Sequence, residues 1–130
     1  MSKTVVLTTK APAPIGPYSQ GIIANGQLLY TAGQVAIDPA SGQLLQGDIE
    51  VQTRQVMNNL KAIIEQAGGT MQEVVKTTVF LKDMNEFGSM NEVYGEFFPS
   101  NPPARSTVEV ARLPKDFKVE IDAIVVLHQK

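Results

Sequence analysis

From Asp48 to Ala67 the apolar residues Ile49, Val56, Leu60, Ile63, Ile64 and Ala67 recur mainly at three- and four-residue spacings. That is one face of a helix, and Gly68-Gly69 stops it. A second stripe runs through "NEFGSMNEVYGEFF" (85–98), with Phe87, Met90, Val93, Tyr94, Phe97 and Phe98 on one side and Pro99 as its end. Two helices are therefore all that the strands of this chain can have as cover. The β-branched run "VVKTTVFLKD" (74–83) between them reads as a buried strand. Ahead of the first helix, "TVVLTT" (4–9) reads as a short strand, and "KAPAPIGPYSQG" (10–21) is too rich in Pro and Gly for either regular element. "GIIANGQLLYTAGQVAI" (21–37) reads as two strands joined in a hairpin at Asn25-Gly26, followed by a turn at "DPASGQ" (38–43). After the second helix come a strand in "PPARSTVEV" (102–110), the loop "ARLPKDFK" and a last strand, "VEIDAIVVL" (119–127).

The order β, ββ, α, β, α, ββ predicts an α+β sandwich. A mixed six-stranded sheet would carry both helices on one face, within a single domain spanning residues 1–130. The other face then lacks a cover. In the last strand Val119, Ile121, Ala123, Val125 and Leu127 point one way, yet Ile124 and Val126 make the opposite side apolar too, beyond Glu120 and Asp122. A second apolar face on a two-helix protein predicts a homo-oligomer.

Composition removes several kinds of chemistry. Net charge is −2 and the pI about 5.3, so no basic field draws nucleic acid or an anionic membrane. Without cysteine there are no disulfides or thiolate ligands, and the single histidine, His128, leaves no partner for a Ser-His-Asp triad or a histidine-rich metal site. Neither a P-loop nor a GxGxxG fingerprint is present. The expected chemistry needs no metal, no cofactor and no protein nucleophile. "MSKTVVLTTK" lacks the apolar core of a secretion signal and no run is long enough for a membrane span, so the expected compartment is the cytoplasm.

Arg105, set among small residues behind Pro102-Pro103, is the leading candidate site residue. If the 105–110 and 119–127 strands pair as neighbours with 105 opposite 120 and 107 opposite 118, then Arg105, Thr107 and Glu120 share one sheet face. Two roles are open. Arg105 could make a cross-strand ion pair with Glu120, worth about 0–1 kcal/mol when exposed. Or its fork could hold a substrate carboxylate through two parallel hydrogen bonds while Glu120 polarises a water. Tyr18, on a loop stiffened by Pro14, Gly16 and Pro17, is either a packing residue or a rigid donor and stacking surface. Asn91 is either an exposed helix residue or a further polar group of the site.

These segments resemble the RidA (YjgF) family. "PPARSTVEVARLPKDFKVEID" is similar to its signature, which pairs a P-A-R-S start with a V-E-I end, and "APIGPYSQG", "YTAGQVAID" and "VVKTTVFLKDMNEFGSMNEVYGEFF" match its habits along essentially the whole chain. The resemblance implies a homotrimer of chorismate-mutase-like α+β fold with active sites in clefts between subunits. It implies hydrolytic deamination of 2-iminobutanoate and 2-iminopropanoate without a cofactor. By the same resemblance Arg105 binds the substrate carboxylate, Glu120 orients the attacking water, and Tyr18, Gly33 and Asn91 line the site. Thr107 stands where many members have cysteine, at a position whose role falls largely to the backbone. Two alternatives remain: a non-catalytic sensor of small carboxylic acids, and an endoribonuclease or translation inhibitor. The acidic pI, the absence of tryptophan and the lone terminal histidine count against the last.

Overall fold

The structure, a computed structural model, describes residues 3–128. The first helix, α1 (Ile49–Gln66), begins and ends where its local chemistry dictates. Asp48 is the N-cap and accepts the Val51 N–H at 2.9 Å, with Glu50 in the first turn facing the positive end of the helix dipole. At the other end Gly68 takes φ +86°, its N–H donating to Glu65 O and the Gly69 N–H to Ile64 O. This left-handed glycine closes the last turn, and a side chain there would be strained. Ile49, Val56, Met57, Leu60 and Ile64 are buried along one stripe, each worth roughly 1.5–3 kcal/mol of transfer energy. Ile63 is only partly buried and Ala67 is exposed, so they lie outside that stripe.

The strands are β1 (Lys3–Val6), β2 (Gly21–Ala24), β3 (Gln27–Tyr30), β4 (Val74–Leu81), β5 (Ala104–Glu109) and β6 (Val119–Leu127); the second helix is α2 (Phe87–Glu96). Two helices and six strands form the α+β fold read from the sequence. The strands divide between a four-stranded sheet of order β3-β6-β4-β5 and a ribbon of β1 with β2, and a parallel bridge from Ser19 to Ala104 ties β5 to the segment that enters β2. β4 and β5 are parallel, with α2 as their crossover, and β6 runs antiparallel to both β3 and β4.

Two expected pairings do not form. Asn25-Gly26 does turn the chain, with Gly26 at φ +134°, but β2 pairs with β1 and β3 with β6, so the hairpin is absent. The turn dipeptide sets a local bend and leaves each strand free to find its partner elsewhere. Nor are β5 and β6 neighbours: β4 lies between them, with Thr77 opposite both Arg105 and Ala123. The 110–118 connection spans two strand positions, with Lys115 and Asp116 at φ near +55° in its tight turn.

Alternation along the strands sets the two faces. Thr77, Val79 and Leu81 of β4 and Val119, Ile121, Ala123 and Val125 of β6 are buried against α1 and α2. Opposite them, Leu28, Tyr30 and Val108 remain exposed on the face that no helix covers.

Glu73 pins the end of β6 to the start of β4. Its carboxylate accepts the backbone N–H groups of Thr70 and His128, both at 2.9 Å, and meets His128 Nδ1. Burial pushes its pKa up, but the hydrogen bonds from His128 and the Thr70 backbone outweigh this and hold it below the ordinary 4.5. A depressed acid stabilises the fold at pH values above its unfolded pKa, and that contribution disappears as pH falls through the folded value. Thermal melts should therefore show Glu73→Gln less stable than wild type at pH 7, with the gap closing below about pH 4. An equal gap at pH 7 and pH 3 would remove the carboxylate from the pin.

Candidate active site

Arg105 leaves β5 on the helix-covered side, as its parallel partner Thr77 does. α2 presents Phe87, Asn91 and Tyr94 to it, residues four and three apart and hence on one helical face. The guanidinium carbon lies 4.9 Å from the Tyr94 ring centre, 5.4 Å from Phe87 and 5.5 Å from Tyr18. Cation–π attraction from three sides fixes its position. Its Nη1 donates to Asn91 Oδ1 at 2.7 Å. Among the described residues Arg105 has no carboxylate partner. Burial lowers its pKa, which Tyr94 and Tyr18 partly offset, and a guanidinium stays charged throughout. The site thus holds a fixed cation with most of its fork unused.

Two of the three walls are themselves held. Tyr94 is fully buried, its hydroxyl 2.7 Å from Thr77 Oγ1, and burial pushes its pKa to about 12 against the pull of Thr77 and Arg105. It is a neutral phenol at physiological pH. Tyr18 is set by a tight turn around Pro17, with its N–H on Gly16 O, and its hydroxyl accepts the Ile15 N–H at 3.3 Å. Ile15, Tyr18, Met84, Phe87, Arg105 and Thr107 line an open pocket of about 420 Å³. Thr107 shares the helix side with Arg105, and its Oγ1 is buried without a partner among the described residues. The Val110 N–H donates to Leu81 O. Parallel alternation then turns the backbone of residues 106 and 108 toward β4, that of Arg105 toward the Ser19 segment bridged to Ala104, and that of Thr107 toward the open edge.

Glu120 lies elsewhere. It pairs with Phe80, three residues from Thr77, and so projects from the uncovered face. Arg105 and Glu120 of one chain are separated by the sheet, and the register expected from the sequence is corrected here. Glu120 has a different companion, Gly33. A Cβ on Gly33 would stand 2.2 Å from Glu120 Oε2 and 2.8 Å from its carboxyl carbon. The six sequence candidates therefore form two groups: Arg105, Tyr18, Asn91 and Thr107 on the helix side, Glu120 and Gly33 on the open side. Sequence reading did not single out Phe87 and Tyr94 as walls. Their spacing about Asn91 was the available signal, and it reads equally as core.

The fold and the site define a small α+β protein with a pocket at a strand edge whose one charged lining group is a guanidinium. The chain belongs to the Endoribonuclease L-PSP family, whose profile matches residues 8–127, and to which the RidA resemblance pointed. It is 57% identical to a RutC family protein of Pyrococcus horikoshii, over 94% of this chain and 96% of that one. It is 50% identical to the 2-iminobutanoate/2-iminopropanoate deaminase of Salmonella typhimurium, over 97% of this chain and 98% of that enzyme. The structure of E. coli TdcF with bound serine superposes with a TM-score of 0.75 at 41% identity, covering 96% of this chain and 99% of that one. Among the described residues no helix is long and apolar enough to cross a membrane.

Gly33→Ala is expected to move the Glu120 carboxylate by about 1 Å or more, since non-bonded atoms rest roughly 3.5–4.0 Å apart. A crystal structure of the variant reads this directly, and an unmoved carboxylate would refute the close packing.

Proposed function

We propose that this chain hydrolyses reactive 2-imino and enamino acids, 2-iminopropanoate and 2-iminobutanoate, to 2-keto acids and ammonia. In this reading it is a cytoplasmic homotrimer of single-domain subunits, with active sites between them. The observation that carries the reading is Arg105, a fixed and half-buried cation without a carboxylate partner among the described residues, opening on a pocket of small-molecule size. A substrate carboxylate supplies the missing anion and takes two parallel hydrogen bonds. The outward N–H of Thr107 adds a donor beside it, and Ile15 and Met84 offer apolar contact to a short side chain. The deaminase from Salmonella typhimurium and the serine-bound E. coli protein support a small amino-acid-derived ligand.

In the reaction the oxygen of a water bonds to the imine carbon. A carboxylate takes one water proton and passes it to the nitrogen; the C–N bond then breaks, ammonia leaves, and the hydroxyl left on the carbon gives its own proton to the same carboxylate as the keto group forms. Glu120 is the carboxylate proposed, and because it projects from the opposite face it comes from a second copy. The exposed Leu28, Tyr30 and Val108 on that face give the second copy an apolar surface to bury. A protonated imine is already activated toward water, so orienting the carboxylate and the water supplies the modest acceleration required. Net charge −2 offers no field for RNA, which favours this reading over the ribonuclease in the family's name.

The test generates 2-iminopropanoate from serine with a dehydratase, traps what remains with semicarbazide, and follows pyruvate. Wild type is expected to accelerate hydrolysis above the spontaneous rate, and Arg105→Ala not at all. Arg105→Lys, which keeps the charge and loses the fork, is expected to fall by about tenfold or more in kcat/KM. Full activity in Arg105→Ala would overturn the reading. No acceleration by wild type would favour a non-catalytic carboxylate sensor.

A further inference from the structure

β3 and β6 pair regularly from Gln27 with Leu127 to Tyr30 with Ile124, and then the ladder changes. The Thr31 N–H still donates to Ala123 O at 3.0 Å. The returning bond does not go to the Thr31 carbonyl: the Ala123 N–H donates instead to Thr31 Oγ1 at 2.9 Å. Pairing resumes with Gln34 and Ile121, joined by bonds in both directions at 2.8 and 3.1 Å. Between these pairs stand Ala32 and Gly33 on one side and Asp122 alone on the other. One extra residue opposite a shorter partner is a β-bulge, a device that bends a strand and re-aims what it carries. Without it residue 33, not 34, would pair with Ile121. With it, Gly33 lies flush against the Glu120 side chain.

We propose that Thr31 is a positioning residue of the active site, its hydroxyl standing in for its own carbonyl so that the bulge holds Gly33 against Glu120. The proposal rests on the reading that Glu120 carries the attacking water. Asn59 of α1 steadies the far side of the same segment, its Nδ2 donating to Val35 O at 3.2 Å and Ile37 O at 3.0 Å. Within the bulge Gln34 Nε2 donates to Ala32 O at 3.4 Å, but among the described residues Thr31 is the side chain that replaces a ladder acceptor there. Valine has threonine's shape and lacks the acceptor. In Thr31→Val the Ala123 N–H loses its partner or recovers the backbone carbonyl, and either outcome shifts residues 32 and 33. Serine retains the oxygen.

The test compares wild type, Thr31→Val and Thr31→Ser in imine hydrolysis and by carboxylate-carbon NMR, with the Glu120 signal assigned through Glu120→Gln. Thr31→Val is expected to lower kcat about tenfold with KM within about twofold, because the Arg105 pocket is untouched. Its Glu120 signal should shift, and Thr31→Ser should match wild type in both readouts. An unmoved Glu120 signal with unchanged kcat in Thr31→Val would overturn the proposal, as would equal losses in the valine and serine variants. If wild type shows no turnover, the NMR comparison decides alone. A shift in the valine variant restored by serine keeps Thr31 as the setter of Glu120 while the imine reading falls.

Discussion

Arg105 enters a half-buried wall of three aromatic rings and loses hydration that the chain does not return in full. One hydrogen bond to Asn91 and the quadrupoles of Tyr18, Phe87 and Tyr94 hold it in place. A cation kept this way is stabilised further by any anion that reaches it, and the Thr107 backbone at the open edge adds a donor alongside. Much of the surrounding structure maintains this arrangement. α2 crosses from β4 to β5 with the spacing that brings Phe87, Asn91 and Tyr94 onto one face, and Thr77 locks the Tyr94 hydroxyl from below.

The central position of β4 has the larger consequence. With β5 on one side and β6 on the other, Arg105 and Glu120 are two strands apart and on opposite faces. One subunit therefore presents a guanidinium half and a carboxylate half that cannot meet within it. The uncovered face carries the second half together with exposed Leu28, Tyr30 and Val108. In the proposed reading, catalysis and assembly share one cause: an apolar sheet face that two helices leave open.

The parts legible in the sequence were those whose cause is local. Asp48, Gly68 and the stripe between them fixed α1 to within a residue, because capping and the left-handed turn act over three or four positions. Arg105 stood out because a lone charge behind two prolines at a strand start is unusual, and Asn91 and Tyr18 proved to touch it or lie beneath it. Phe87 and Tyr94 were seen as core, since a helical stripe looks the same whether it packs on aliphatic side chains or on a guanidinium. The bulge at Thr31 left no mark in the pattern, because a hydroxyl replacing a carbonyl changes neither hydropathy nor period.

The sequence by itself determined the kinds of element, their order, their caps and the identity of the charged group at the centre of the site. These follow from sterics and hydrogen bonds within a turn of chain. Only the tertiary structure decided which strands are neighbours, which face Glu120 takes, and that Gly33 is its companion. Period-2 alternation assigns a face within one strand, whereas strand order depends on contacts between residues tens of positions apart, which no local pattern encodes.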